Sequence, residues 1–233
     1  MSFEQFNIPR YLLTLPLFSH LEQTELEQIT AGCTLRRLER GKLLFRQGEP
    51  CDGFYIVVTG QIKLFVLSHQ GSEKIIELCG PGRSFAEALV FTGMSYVVSA
   101  QALSESLLIK IDKKVVLEEF DHNPNFARHM LAGLSRRLHG LIKDVESYAL
   151  HSGVERVIGY LLGECITDAE KITAPSITVS LPVSKGAIAS RLSLTPEYFS
   201  RVLHELESAG LIQVNRRDIH IRDTVRLANY QAR

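Results

Sequence analysis

The fold is decided by residues 182–212, which read PVSKGAIASRLSLTPEYFSRVLHELESAGLI. This stretch contains two short helical patterns that are joined by a tight connection. Ser184 is suited to cap the first helix, because a serine oxygen accepts a bond from a free amide of the first turn. Thr195 is suited to cap the second helix in the same way, and Pro196 follows where its missing N–H is not needed. The stretch therefore predicts a helix-turn-helix.

The second predicted helix separates its residues onto two faces. The apolar stripe consists of Phe199, Val202, Leu203 and Leu206. The polar face, with spacing i, i+3, i+4 and i+7, consists of Glu197, Ser200, Arg201 and His204. This polar face suits a DNA major groove, because arginine donates two parallel bonds to guanine, glutamate accepts from cytosine and serine bonds either base. The alternative is a solvated face with a Glu197–Arg201 pair, which is worth only about 0.2–0.5 kcal/mol.

The residues after this stretch add a hairpin and positive charge. Two short alternating runs flank residues 215–218, which predicts a β-hairpin wing with Arg216 and Arg217 at its tip. From Ser180 onward eight basic residues stand against five acidic ones, whereas the whole chain has 26 of each. Such a local excess on a neutral protein is typical of a domain that faces phosphates. The candidate DNA-binding residues are Lys185, Thr195, Glu197, Ser200, Arg201, His204, Arg216 and Arg217.

A long helix with a leucine-rich seam is predicted over residues 124–150. Pro124 can begin it, and apolar residues then recur at alternating steps of four and three. The predicted seam, and with it the predicted dimer interface, consists of Leu131, Leu134, Leu138, Leu141, Val145 and Tyr148. About 25 helical residues extend about 38 Å, more than a small sandwich needs to cover itself, so we predict a parallel homodimer. The alternative is that the seam packs on the chain's own β domain.

The amino-terminal part has the pattern of a β structure. Between Leu35 and Ile111, short β-branched and aromatic runs are separated by glycine-centred turns, which favours an antiparallel sandwich or barrel. Residues 68–72 form a predicted hairpin loop with Gly71 at the position of positive φ, and a short helix is predicted over residues 22–29. The chain is therefore predicted to be an α+β protein with three parts: residues 1–123 as a β-roll sensor domain with an N-terminal helix, 124–150 as a dimerisation helix, and 151–233 as a winged helix-turn-helix.

Composition and motifs exclude several other classes. The 233 residues are 45% hydrophobic, but the apolar runs are far shorter than the roughly 18–20 residues that span a bilayer. The first residues lack the order of a secretion signal, so we expect a cytoplasmic protein. Cys33, Cys51, Cys79 and Cys165 are too widely spaced for a local metal knuckle. Because no nucleophile elbow, phosphate loop or HExxH motif is present, we expect no enzymatic activity.

The order of β-roll, long helix and winged helix-turn-helix resembles the CRP/FNR family of bacterial transcription regulators along nearly the whole chain. Residues 41–49 (GKLLFRQGE) and 54–60 (FYIVVTG) are similar to the family's sensor-domain signature, and residues 194–201 (LTPEYFSR) to its recognition helix. The resemblance implies a cyclic-nucleotide-binding-like β-roll and RNA polymerase as a partner. The Glu-x-x-Ser-Arg arrangement is that of the FNR-like branch, which implies that Glu197, Ser200 and Arg201 read a TTGAT-type half-site twice in a palindrome.

The sensor part departs from two branches of this family. Its cyclic-nucleotide binders carry an Arg-Ser or Arg-Thr pair about ten residues after a Gly-Glu, but residues 95–100 here contain no cation. A buried phosphate would then lack a partner, so cyclic nucleotide is not expected. Its iron–sulfur branch needs an N-terminal cysteine group, and residues 1–32 contain no cysteine. The remaining similarity, in residues 83–88, 96–102 and 134–139, is to the Dnr group, regulators of denitrification thought to sense nitric oxide through haem.

This resemblance implies an effector pocket between the sheet and the long helix. Its candidate residues are Phe85, Glu87, Tyr96, Leu131, Leu134 and Leu138. Of the eight histidines, His20 and His139 are the candidate haem ligands. The prediction is a homodimeric transcription activator that is haem-dependent or otherwise gas- or redox-responsive, with nitric oxide through haem as the effector that the Dnr resemblance implies. The alternative is a cyclic-nucleotide-responsive regulator or regulatory subunit that acts through protein contacts.

Overall fold

The computed structural model describes residues 6–19, 21–166 and 176–230. The first half contains α1 (Ile8–Leu12), α2 (Gln23–Ala31), β1 (Cys33–Leu38), β2 (Leu43–Phe45), β3 (Gly53–Thr59), β4 (Ile62–Leu67), β5 (Glu73–Cys79), β6 (Ser84–Phe85), α3 (Glu87–Thr92), β7 (Ser99–Ala102), β8 (Ser106–Asp112) and α4 (Lys113–His122). The second half contains α5 (Pro124–Leu150), α6 (Gly153–Ile166), β9 (Ile177–Ser180), α7 (Lys185–Arg191), α8 (Pro196–Ser208), β10 (Ile212–Asn215), β11 (Asp218–Ile221) and α9 (Thr224–Ala228).

The chain divides into two compact units. The first takes in the residues up to Leu141 except Glu73–Ile75, and the second takes in those three residues with Ile142 onward. The division between the two units therefore falls inside the long helix α5, between Leu141 and Ile142. The sequence predicts three parts instead, with boundaries at the two ends of that helix. None of the helices in the described residues is both long and apolar enough to cross a membrane.

The first unit is the predicted β-roll. One sheet has the strand order β1-β8-β3-β6 and the other β2-β7-β4-β5. The pairs β1–β8, β3–β8, β3–β6, β2–β7 and β4–β7 are antiparallel. Strands β4 and β5 are neighbours on either side of the predicted hairpin loop, and Gly71 has a φ of +80° there. Both features confirm the sequence prediction.

Strand β3 explains how the β-roll builds two cores. Successive side chains of a strand point to opposite faces, and six consecutive residues of β3 are buried. Phe54, Ile56 and Val58 pack in one cluster with α1, α2, α4 and the beginning of α5. Tyr55 and Val57 pack in a second cluster between the sheets. Strand β3 is therefore apolar on both faces because each face packs in a different core cluster.

The beginning of the long helix is fixed to the β-roll. Asn123 accepts bonds through its side-chain oxygen from the amides of Asn125 and Phe126, each at 3.0 Å. Phe126 and Met130 are buried in the cluster on the helical side of β3. The helix begins at Pro124, as the sequence predicts, because proline needs no amide partner in a first turn.

The second unit is the predicted winged helix-turn-helix. Helices α6, α7 and α8 each contribute buried apolar residues, among them Leu161, Ile188 and Phe199. The hairpin β10–β11 is present, and β9 adds a third strand to it on the β11 side. The sequence analysis missed β9, because four residues show too little alternation to stand out. Residues 167–175, between α6 and β9, lie outside the described residues.

Candidate DNA interface and effector region

The turn between α7 and α8 is built as predicted. The Ser184 hydroxyl oxygen caps α7 by accepting from the amide of Ala187 at 3.3 Å. The Thr195 hydroxyl oxygen caps α8 by accepting from the amide of Tyr198 at 3.2 Å, and Pro196 follows. Between the helices Ser193 takes a left-handed conformation with a φ of +55°, which turns the chain sharply.

Helix α8 presents the two faces that the sequence predicts. Phe199, Val202, Leu203 and Leu206 are buried, and they hold the helix on the body of the unit. Glu197, Ser200, Arg201 and His204 are all exposed on another face. The side chains that could bond base edges are therefore accessible, while the helix that carries them is fixed by its apolar side.

Arg201 packs on an aromatic ring and not on a carboxylate. Its guanidinium carbon lies 4.9 Å from the centre of the Tyr198 ring, a cation–π contact. Glu197 and Arg201 are both described, and no ion pair forms between them. The alternative interpretation is a solvated face with a Glu197–Arg201 pair; the face is exposed, but the pair is absent, and the Glu197 carboxylate remains available as an acceptor.

The hairpin places two further arginines on the surface. Asn215 pairs with Asp218, so Arg216 and Arg217 form the two-residue turn between β10 and β11, and both are exposed. Arg216 has a φ of +55°, as such tight turns demand. Lys185, the remaining basic candidate, is the first residue of α7 and is half-buried.

The end of α5 holds the carboxyl end of α7. The Tyr148 hydroxyl donates to the carbonyl oxygen of Arg191 at 2.6 Å, and Arg191 Nη1 donates to that hydroxyl at 2.6 Å. Arg191 Nη2 also donates to Asp144 Oδ2 at 2.6 Å. Burial raises the pKa of Tyr148, so its hydroxyl keeps the proton that it donates.

A second side chain bonds the turn from α6. Arg156 Nη1 donates to the carbonyl oxygen of Leu192 at 2.7 Å and lies 3.3 Å from that of Ser193. Carbonyl groups at the end of a helix lack partners within that helix, and charged donors bond them strongly. Side chains from α5 and α6 therefore fix the geometry of the turn that leads into α8.

The predicted seam of α5 is only partly a free surface. Leu131, Leu138, Leu141 and Val145 are exposed. Two of the six predicted residues need correction, because Leu134 packs against the core of the β-roll and Tyr148 bonds Arg191. Ile142, which the sequence analysis did not include, is 55% exposed. Ile142 directly follows Leu141, which occupies the heptad position, so a count of heptad positions does not include Ile142.

The six predicted effector-pocket residues do not line one site. Phe85, Glu87 and Tyr96 are buried in the β-roll. Leu131 and Leu138 are exposed on α5, and Leu134 packs with the helices on the other side of β3. The Tyr96 ring stacks on Phe45 with 3.6 Å between ring centres, so the roll is filled there by its own aromatic side chains. A single pocket made of all six residues is therefore wrong for this conformation.

An arginine that the sequence analysis did not single out connects α5 to the β-roll. Arg137 Nη1 donates to Glu87 Oε2 and to the carbonyl oxygen of Ser84, each at 3.2 Å, and Nη2 donates to Glu77. Burial acts to lower the pKa of Arg137, but the charges of Glu77 and Glu87 outweigh it and raise the pKa. The carboxylate of Glu87 is therefore already paired with an arginine of the same chain. A single arginine in a polar helix face gives no sequence signal of this role.

Of the two candidate haem ligands, only His139 is among the described residues, and it is not buried with the residues of the predicted pocket. His139 is exposed on α5, and His20 lies outside the described residues. Within the described part of the chain, no three side chains of histidine, cysteine, aspartate and glutamate gather as they would around a metal ion. Cys33 and Cys51 are half-buried, and Cys79 is buried; all three are free thiols.

Comparison with known proteins gives matches to both units. Residues 35–123 match the cyclic nucleotide-binding domain, and residues 155–230 match the Crp-like helix-turn-helix domain. The crystal structure of DNR from Pseudomonas aeruginosa is 35% identical, covers 99% of this chain and 100% of that chain, and has a TM-score of 0.52.

Two further relatives are similar over most of their length. FixK2 from Bradyrhizobium japonicum is 25% identical, covers 86% of this chain and 98% of that chain, and has a TM-score of 0.76. The transcriptional activator protein Anr of Pseudomonas protegens is 29% identical over 220 residues, which are 92% of this chain and 87% of that protein.

Proposed function

Because the chain belongs to the CRP/FNR family of DNA-binding transcription regulators, whose members are regulators and not enzymes, we propose that it binds a TTGAT-type palindrome as a homodimer under the control of a small effector. The observation that carries this proposal is the exposed face of α8. Glu197, Ser200 and Arg201 are accessible on it together, opposite a buried apolar stripe. Arg201 then bonds guanine O6 and N7, and Glu197 accepts from cytosine N4.

Contacts to phosphate position this reading helix. Arg216 and Arg217 at the tip of the hairpin and Lys185 at the start of α7 supply positive charge in the same unit. Phosphate contacts set the register of a protein on the duplex and make its affinity depend steeply on salt. Thr195 and His204, at the two ends of the reading face, complete the proposed contact set.

The dimer follows from the exposed apolar side of α5. Members of this family act on DNA as dimers. Leu131, Leu138 and Val145 recur every seven residues and are more than half exposed, which is the pattern of a helix that packs on a second copy of itself. Two-fold symmetry then requires a palindrome, and it places the two copies of α8 on half-sites about one helical turn apart.

The effector that we propose is nitric oxide acting through haem, as in the Dnr group, and the support for it is the similarity to DNR. Among the described residues, the side chains named for a haem pocket do not fit a haem in this conformation. His139 is exposed, and the buried aromatic residues pack on one another. We therefore assign no step to the haem and no ligand to it.

The contact that an effector would have to change is the one made by Arg137. This arginine fixes α5 to the β-roll through Glu77 and Glu87, and α5 carries the proposed dimer stripe. A ligand that competes for Glu87, or that shifts α3, alters the hold on α5. An effector biases two arrangements of the helices only by binding one of them more tightly. In the cytoplasm, the arrangement with both copies of α8 in successive major grooves is the one that meets RNA polymerase.

Titration of a labelled TTGAT palindrome, followed by fluorescence anisotropy, tests the DNA-binding part. Arg201→Ala should weaken binding by about 10- to 100-fold, because a bidentate contact to guanine is worth about 1–3 kcal/mol. Arg40→Ala removes the same charge from an exposed position of the β-roll and should leave the affinity unchanged. If Arg201→Ala stays within twofold of the unaltered protein, α8 is not the reading helix.

Absorption spectra test the effector part. Protein loaded with haem, with and without nitric oxide, should show a Soret band that changes on gas binding, and the palindrome titration should change with it. Cyclic AMP serves as the control ligand, because the alternative function is a cyclic-nucleotide-responsive regulator. Saturable binding of cyclic AMP in calorimetry, with no haem uptake, would support that alternative.

A further inference from the structure

Tyr198 lies in the first turn of α8 but is not one of the residues assigned to DNA contact. Its ring makes two contacts within the second unit. The guanidinium carbon of Arg201, one turn further along α8, lies 4.9 Å from the ring centre. The ring also lies against the backbone of Gly153, the first residue of α6.

The contact with Gly153 leaves no room for a Cβ atom unless the Tyr198 ring moves. A Cβ atom added to Gly153 would lie 2.4 Å from Tyr198 Cε1 and 3.0 Å from the hydroxyl oxygen. Glycine at this position is therefore what allows the ring to lie there. The start of α6 is itself held in place, because the Ser152 amide donates to Glu155 at 2.6 Å and the Glu155 amide donates to the Ser152 hydroxyl at 3.2 Å. The ring thus rests on a fixed part of the backbone.

We propose that Tyr198 is a positioning residue for Arg201: its ring, seated on Gly153, holds the guanidinium in the orientation in which it bonds a base. The proposal rests on the function proposed above for α8. Tyr198 is half-buried, so its ring is restrained, whereas Arg201 is exposed and its long side chain is otherwise free to rotate.

The physical reason is the rotational freedom of the arginine. An exposed arginine loses much of that freedom when it binds a base, and this loss weakens binding. A ring that already holds the guanidinium removes part of the loss before DNA arrives. Because Glu197 does not pair with Arg201, the ring performs this task without neutralising the charge that guanine needs.

The test is a double-mutant cycle on the full-length protein with the labelled palindrome. Tyr198→Leu should weaken binding about two- to fivefold, the range expected for an exposed cation–π contact. The Tyr198→Leu variant should also discriminate less between the palindrome and a control DNA in which the guanine of each half-site is replaced, by the same factor. Tyr198→Phe keeps the ring and should bind like the unaltered protein. In the Arg201→Ala background, Tyr198→Leu should cause no further loss.

Substitutions at Gly153 provide a second, independent test of the positioning role. Gly153→Ala should weaken binding, because the new methyl group displaces the ring. Gly153→Ala combined with Tyr198→Ala should bind no worse than Tyr198→Ala alone, since nothing is left to displace. Circular dichroism of each variant shows whether α6 and α8 are still folded.

The outcomes separate this inference from the proposed function. If Arg201→Ala weakens binding but Tyr198→Leu does not, only the positioning role is overturned. If Tyr198→Leu weakens binding equally in the Arg201→Ala background, the ring acts on its own and the positioning role is again overturned. If Arg201→Ala has no effect, the proposed reading helix is wrong and this inference fails with it.

Discussion

Arg137 on α5 donates from Nη1 to Glu87 Oε2 in the first turn of α3 over 3.2 Å, and the same guanidinium also bonds Glu77. One cation thus lies between two carboxylates whose side chains are 15% and 10% exposed, and the exposed Arg83 lies 3.8 Å from the other oxygen of Glu77. Such an arrangement is sensitive to loss of Arg137, because Glu87 would then lose its ion-pair partner and Glu77 would keep only the more distant Arg83.

Replacing Arg137 by Ala should therefore lower the free energy of unfolding by about 2–4 kcal/mol, somewhat less than for a fully buried pair because water reaches the guanidinium. Urea unfolding followed by circular dichroism measures this change. Arg136→Ala, an exposed neighbour on the same helix, should change it by less than about 0.5 kcal/mol. Equal effects of the two substitutions would mean that the cluster does not hold α5.

Ala86→Gly should stabilise the protein. Ala86 has a φ of +72° at the amino end of α3, a left-handed conformation in which its Cβ is strained. Relief of this strain outweighs the extra chain entropy of glycine, and we expect a gain of about 0.5–1 kcal/mol. Ala88→Gly, at an exposed position inside α3, should instead cost about 1 kcal/mol. Thermal unfolding compares the stability of the two variants. A loss of stability in Ala86→Gly would show that the left-handed conformation of Ala86 is not strained.

The thiols of Cys33 and Cys79 should react slowly in the native protein. Burial raises the pKa of Cys33 to about 12, with the charge of Asp112 adding to the effect, and burial also raises the pKa of Cys79. At pH 8 only about one Cys33 in ten thousand is then a thiolate, the reactive form. We expect iodoacetamide to label Cys33 more than about a thousandfold more slowly than free cysteine.

Site-resolved mass spectrometry gives these labelling rates. The rate at Cys33 should rise about tenfold for each pH unit between 8 and 10, because the thiolate fraction does so below the pKa. The same labelling in urea should be fast at every cysteine. Rapid labelling of Cys33 at pH 8 without urea would show that its surroundings do not suppress ionisation.

Leu138→Glu should convert a dimer into a monomer. Leu138 is 58% exposed at the centre of the proposed seam, and a carboxylate there would be buried against its symmetry partner. We expect the molar mass from light scattering to fall by half and the affinity for the palindrome to fall at least tenfold, since only one half-site is then held. Lys143→Glu places the same charge on an exposed face of α5 away from the heptad positions and should leave the mass unchanged. An unaltered mass in Leu138→Glu would place the dimer contact elsewhere.

The sequence was sufficient for the helix-turn-helix because its signals are local. Ser184, Thr195 and Pro196 act within one helical turn, and the apolar stripe of α8 has a period that the sequence shows directly. The hairpin with Arg216 and Arg217 at its tip follows for the same reason, although its strands extend to Asn215 and Asp218, which the sequence pattern assigned to the connection. The TTGAT half-site comes only from the resemblance to a known family, because no local rule supplies it, and it stays a prediction.

The missed features depend on contacts between residues far apart in the chain. Arg137 meets Glu77 and Glu87 across some fifty to sixty positions, and Tyr148 bonds Arg191 across 43. A heptad count assigns Leu134 and Tyr148 to a partner helix because it cannot tell which side of α5 the chain itself covers. The effector pocket was inferred from sequence similarity, and similarity does not show that the side chains of the β-roll interior already fill it.

The bonds from Tyr148 and Arg156 to carbonyl groups at the end of α7 and in the turn after it limit how binding specificity can be transplanted between relatives. The Crp-like domain match begins at residue 155, so a graft cut there carries Arg156 but leaves Tyr148 with the recipient. The donated turn would then meet whatever side chain the recipient offers at the end of its own long helix. A junction next to Ile142 keeps both donors with the turn they hold, and chimeras joined there should retain the donor's sequence preference.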